Sequence, residues 1–236
     1  VRAQTRHQLK QDRFAATAAE TYSWAVAHRS KLVIGGIVAA VVLAIVVGTW
    51  WYTQYREHDA SLDLAKALRT YEAPLRPPGQ PAQSEMLSFA SAPERARVAN
   101  GEFRRVADKY SHTPSGKVAR YFVALTYIDM ADNAAAEREL KHVADSAKPE
   151  LAGMAKLALA SLYRSTNRDQ QAIDLYKQLA DHPTATVSKS TAQLELAAAY
   201  EAKQPAEARR IYEQIRKDEP QGPAAQTAAT RLADLK

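Results

Sequence analysis

The sequence has no cysteine, which excludes disulfides, thiolate metal sites and a cysteine nucleophile. Its eight glycines form no phosphate-cradling loop or dinucleotide-binding turn, and no Gly-x-Ser-x-Gly nucleophile elbow occurs. The six histidines (His7, His28, His58, His112, His142, His182) are scattered, with no His-x-x-x-His or His-Glu-x-x-His spacing. The acidic pairs Glu137/Glu139 and Asp218/Glu219 are interleaved with Arg and Lys, as on a solvated helix face. These absences leave no enzyme, no metal and no cofactor as the expectation. β-Branched runs are also scarce outside one segment, while alanine carries much of the 46% hydrophobic content, so the chain is expected to be all-α.

Charge is missing altogether from residues 32–55. The first twenty residues of this stretch would rise roughly 30 Å as a helix, the thickness of a bilayer's hydrocarbon core. Arg29 and Lys31 stand before it, and Trp50, Trp51, Tyr52 and Tyr55 follow as an interfacial aromatic cluster. A cleaved signal peptide has an apolar region of only about 7–15 residues ending in small side chains, so a retained anchor over 32–55 is expected. Gly36, Ala40, Ala44 and Gly48 recur at four-residue spacing within it, a small-residue face on which another membrane helix can close.

The net charge of +6 changes meaning when divided at this segment. Residues 1–55 carry six basic side chains (Arg2, Arg6, Lys10, Arg13, Arg29, Lys31) against Asp12 and Glu20, which leaves the remainder nearly balanced. The positive head is therefore expected in the cytoplasm and the body on the exported side. The body has no basic stripe interleaved with aromatics, so nucleic acid is not an expected partner. Within the head, 1–31, the weakly patterned stretch around Phe14, Tyr22 and Trp24 reads equally as an interfacial helix on anionic lipid and as a solvated stem.

After the anchor, residues 56–71 read as helix, with Leu62, Leu64, Ala65, Leu68 and Tyr71 as apolar positions. The stretch 74–84 holds four prolines and a glycine, which breaks the helix and marks an insert. Helix resumes at Ser91-Ala-Pro-Glu94, a capping box with proline in the first turn.

From there a period emerges. The helical positions Ala99, Ala136, Ala172 and Ala208 are spaced by 37, 36 and 36 residues. Each is followed at +4 and +7 by a large apolar residue: Phe103 and Val106, Leu140 and Val143, Tyr176 and Leu179, Tyr212 and Ile215. Preceding helices carry Val123-Ala124 with Tyr127, Leu159-Ala160 with Tyr163, and Leu196-Ala197 with Tyr200. Pro114, Pro149, Pro183 and Pro220 punctuate the units. A single helix pair cannot bury its own apolar face, whereas stacked pairs can.

This pattern resembles the tetratricopeptide repeat, with Ala in place of the usual Gly at 124, 160 and 197, and with Arg120, Lys156 and Gln193 where that family often has Trp. The resemblance implies a helical-hairpin solenoid over 56–236, interrupted by the 74–84 insert and closed by a capping helix at 223–235. The whole layout resembles the YfgM-like family, ancillary subunits of the SecYEG translocon in the bacterial inner membrane. It implies a non-catalytic, membrane-anchored interaction module with a periplasmic body, acting as a helper of protein translocation. Its implied partners are the translocon, a periplasmic chaperone, exported polypeptides and the lipid bilayer. A scaffold for another envelope assembly is the alternative. The tetratricopeptide resemblance also implies partner contacts on the first helix of each pair, at Tyr121, Leu125, Ile128, Asp129, Met154, Ser161 and Arg164. Leu157 and Leu194 share that face but also suit packing against the neighbouring repeat.

Overall fold

A computed structural model of the chain describes residues 28–77, 79 and 87–235. The head residues 1–27 and most of the 74–84 insert fall outside the described residues. Those described are all-α, in nine helices: α1 (Arg29–Tyr71), α2 (Ala92–Lys109), α3 (Pro114–Asp129), α4 (Asn133–Ser146), α5 (Pro149–Ser165), α6 (Asp169–Asp181), α7 (Lys189–Tyr200), α8 (Pro205–Asp218) and α9 (Pro223–Asp234). The chain divides into two units, Val1–Tyr55 and Arg56–Lys236.

In the first unit the apolar part of α1 packs against nothing among the described residues. Its large side chains stand exposed, Ile45 at 62% and Trp51 at 70%. Among the described residues this is the one helix long and apolar enough, by length and composition, to cross a membrane.

The second unit is a solenoid of antiparallel helix pairs, and the alanine period explains its packing. Ala99, Ala136, Ala172 and Ala208, on α2, α4, α6 and α8, are each 0% exposed. So are Ala124, Ala160 and Ala197 on α3, α5 and α7. Small side chains at these positions let the paired helices approach, and the large residues one and two turns later fill the space between pairs. Phe103, Leu140 and Tyr176 are fully buried, and Tyr212 is 1% exposed. Residues 56–71 of α1 supply the first helix of the first pair, setting Ala60, Leu64 and Ala67 against Ala99, Phe103 and Val106.

Polar contacts fix the register of these pairs. Glu57 caps α3 from 58 residues away, its carboxylate accepting from the Ser115 hydroxyl at 2.7 Å and the Ser115 N–H at 3.2 Å. Tyr110 donates to Asp63 at 3.0 Å, and its ring lies 4.9 Å from the Arg56 guanidinium. Between α2 and α3, the buried Asn100 amide donates to Thr126 Oγ1 at 2.9 Å. Ser91 caps α2 as expected, but Glu94 reaches back to the Ala90 N–H at 2.9 Å, one residue before the N-cap. The feet of the insert are tied by an isolated parallel bridge, Leu75 with Phe89, in which Arg76 N–H donates to Phe89 O at 2.8 Å.

Glu137 on α4 collects three donors: Lys141 at 2.7 Å, Arg168 at 2.7 Å and the Tyr163 hydroxyl at 3.0 Å. The Lys141 hydrogen bond, with those of Arg168 and Tyr163, holds its carboxyl down at about 2 from an ordinary 4.5, against the opposing effect of burial. A depressed carboxyl stabilises the fold above its unfolded pKa and loses that contribution as pH falls through the folded value. Glu137→Gln is therefore expected to cost roughly 1–3 kcal/mol at neutral pH. The difference from the native chain should shrink as pH falls from 4.5 toward 2, which denaturant titrations at several pH values measure.

Candidate functional site

The face of α5 that carries Met154, Leu157, Ala158 and Ser161 follows the helical repeat, so these side chains line one stripe. Tyr121 of α3 stands on one side of it. On the other, the α6–α7 loop folds back, bringing Thr186 and Val187. Together these seven residues line an apolar groove of about 450 Å³.

The loop is built to hold this wall. Thr184 N–H donates to Val187 O at 2.9 Å, Val187 N–H donates to Thr184 Oγ1 at 3.0 Å, and Thr186 Oγ1 donates to Glu150 O at 2.6 Å. Val187 is 1% exposed and packs with Leu179 and Ala192, against which Met154 and Leu157 also rest.

Of the residues expected to meet a partner, the structure brings Tyr121, Met154 and Ser161 into this groove, with Leu157 beside them. Tyr121 differs from the expectation of an exposed contact. It is only 9% exposed, its ring set edge-on to Phe122 at 5.7 Å, because α3 turns it inward as the groove wall. Burial pushes its phenol above the ordinary value, so it stays neutral. Leu125, Ile128 and Leu194 are half-buried and pack on the main core. Asp129 is exposed at the end of α3. Arg164 lies one turn beyond Ser161, paired with Glu195 of α7 at 3.2 Å.

Ala158, Thr186 and Val187 were not among the expected positions. One signal for Val187 was present: the stretch from His182 to Ser188 is longer than the other connections between helix pairs, and Val187 is its sole branched apolar residue. The groove walls carry hydroxyls and apolar groups and no ionised side chain, so the site suits an apolar side chain presented by a partner. It has no nucleophile paired with a base. Among the described residues no group of three His, Cys, Asp or Glu side chains is placed to hold a metal.

On α1, Gly36, Ala40, Ala44 and Gly48 are all exposed. A Cβ added at Gly36 or Gly48 meets nothing within 4 Å.

The family model described as a tetratricopeptide repeat-like domain matches residues 24–181. No curated protein matches the sequence. Two solved structures of nearly identical TPR-like repeats from a kinesin light chain of Podosopora anserina resemble it in shape. One, a point variant, has a TM-score of 0.54 at 19% identity and covers 76% of this chain and 86% of its own. The other has a TM-score of 0.53 at 19% identity and covers 76% of this chain and 87% of its own. At that identity the likeness concerns the fold alone.

Proposed function

Because the chain belongs to the tetratricopeptide repeat-like domain family, a family of protein–protein interaction scaffolds, we propose that it is a membrane-anchored interaction module that assists protein translocation. Residues 32–55 span the bacterial inner membrane, the basic head 1–31 stays in the cytoplasm, and the repeat body 56–236 works in the periplasm. The observation that carries this reading is the pairing, in one chain, of an apolar helical segment whose large side chains stand exposed with a repeat scaffold whose groove is apolar. Basic residues concentrated before the span support the orientation. The groove meets apolar segments of newly exported chains or of a periplasmic chaperone, through Tyr121, Met154 and Ser161, with Leu125, Ile128 and Asp129 farther along α3 and Arg164 one turn farther along α5. The small face of Gly36, Ala40, Ala44 and Gly48 meets a helix of the translocon.

Photo-crosslinking in cells from residues 161 and 164 tests the reading. Adducts with translocon subunits and newly exported chains are expected. A stable adduct with one envelope protein, and none with exported chains, would replace translocation by the scaffold reading. A phosphatase fused after Lys236 is expected to be active, and an inactive fusion overturns the orientation. Gly36→Leu with Gly48→Leu is expected to abolish copurification with the channel in mild detergent; retention removes the small face from the account.

A further inference from the structure

The repeat period exposes a second groove through a mismatch between equivalent positions. Arg120, Lys156 and Gln193 occupy the same place in successive repeats, on α3, α5 and α7. Arg120 is satisfied: it pairs with Asp108 of α2 at 3.3 Å and Glu139 of α4 at 3.6 Å. The position equivalent to Glu139 in the next repeat is Leu175, which offers no charge, while Asp145, the equivalent of Asp108, stands exposed near the end of α4 and forms no ion pair with Lys156 among the described residues. Accordingly, among the described residues, the half-buried Lys156 pairs with no carboxylate, while its side chain borders a groove of about 530 Å³. The floor of that groove is apolar, formed by Ala147, Pro149, Ala152 and Leu179, and its ionisable lining residues are Lys156 and His182, with no acidic residue among them.

We propose that this groove is a second docking site, which seats an acidic segment of a partner polypeptide carrying an aliphatic side chain beside a carboxylate. The floor takes the aliphatic side chain, and the Lys156 ammonium takes the carboxylate that Glu139 supplies internally to Arg120. Apolar burial gives the affinity and the Lys156 cation selects the sign of the partner. The site is separate from the groove walled by Tyr121 and Val187, and it is independent of the translocation reading.

Fluorescence anisotropy on the full chain in detergent tests this, using a fluorescein-labelled peptide of alternating leucine and aspartate. Binding is expected, and Lys156→Glu should weaken it by at least about tenfold. Ala152→Phe, which fills the floor and keeps the charge, should weaken it as well. Arg97→Glu, on the exposed face of α2, should leave it unchanged. If Lys156→Glu loses its helical circular dichroism, Lys156→Gln takes its place with the same expected direction. Absence of binding, equal binding by the charge-changed variant, or equal binding of a peptide with lysine in place of aspartate would each overturn the proposal. Because this measurement involves no translocon, its failure and the failure of the crosslinking experiment are separate results.

Discussion

Replacing Gly116 by alanine is expected to destabilise the repeat unit by about 3 kcal/mol or more, lowering its unfolding midpoint by roughly 10 °C. The reason is a backbone collision. A Cβ at Gly116 would lie 1.9 Å from the carbonyl oxygen and 2.6 Å from the carbonyl carbon of Tyr110, atoms that no side-chain rotation can move aside. That carbonyl is engaged where it stands, accepting from Thr113 N–H at 2.9 Å and Thr113 Oγ1 at 3.0 Å, and Thr113 in turn caps α3 at the Gly116 N–H. Relief of the clash therefore breaks the α2–α3 turn and its cap together. Gly101→Ala makes the matching control. Its added methyl meets nothing within 4 Å on an exposed face of α2, so it should stabilise the helix by about 0.5–1 kcal/mol. Thermal unfolding of the full chain in detergent, followed by helical circular dichroism, reads both, and similar midpoints for the two variants would contradict the geometry.

Tyr176→Ala is expected to cost about 3–5 kcal/mol, while Tyr176→Phe should cost less than about 1 kcal/mol. Tyr176 is fully buried in the largest core cluster among the described residues, so truncation opens a ring-sized cavity next to Ser161 of α5. Its hydroxyl contributes little, because its neighbour Ser161 Oγ is 3.5 Å away, at the edge of hydrogen-bonding distance. Tyr212, one repeat on, sets a contrast: its hydroxyl donates to Glu201 at 2.7 Å, so removal of that oxygen should be felt more. Denaturant unfolding of the three variants, compared at equal slope, separates packing from hydrogen bonding.

The alanine ladder was legible because burial of small residues recurs wherever two helices must approach, and each such contact lies within one hairpin or its neighbour. The groove was legible in part. Helical spacing places Met154, Leu157 and Ser161 on one stripe, but it does not say which way Tyr121 turns, since that depends on how closely Phe122 and the next pair pack around it. Nor did local pattern reveal the Thr184–Val187 fold-back, whose stability comes from a bond to Glu150 O, 36 residues earlier in the chain. The Glu57 cap on α3 has the same character. Its acceptor and donor are each ordinary in their own segment, and only the stacking of pairs brings them together.

The tied feet of the insert carry a consequence for how this chain can grow. With Leu75 bridged to Phe89 and Arg76 Nη1 held on Ser88 O at 3.0 Å, the helices on either side are positioned by contacts that the length of the intervening stretch does not enter. Lengthening a loop whose ends are already fixed costs only about 0.6 kcal/mol for each doubling. This point between the first and second helices of the array is therefore where added sequence, up to a whole inserted module, can accumulate while the spacing of the alanine ladder stays untouched.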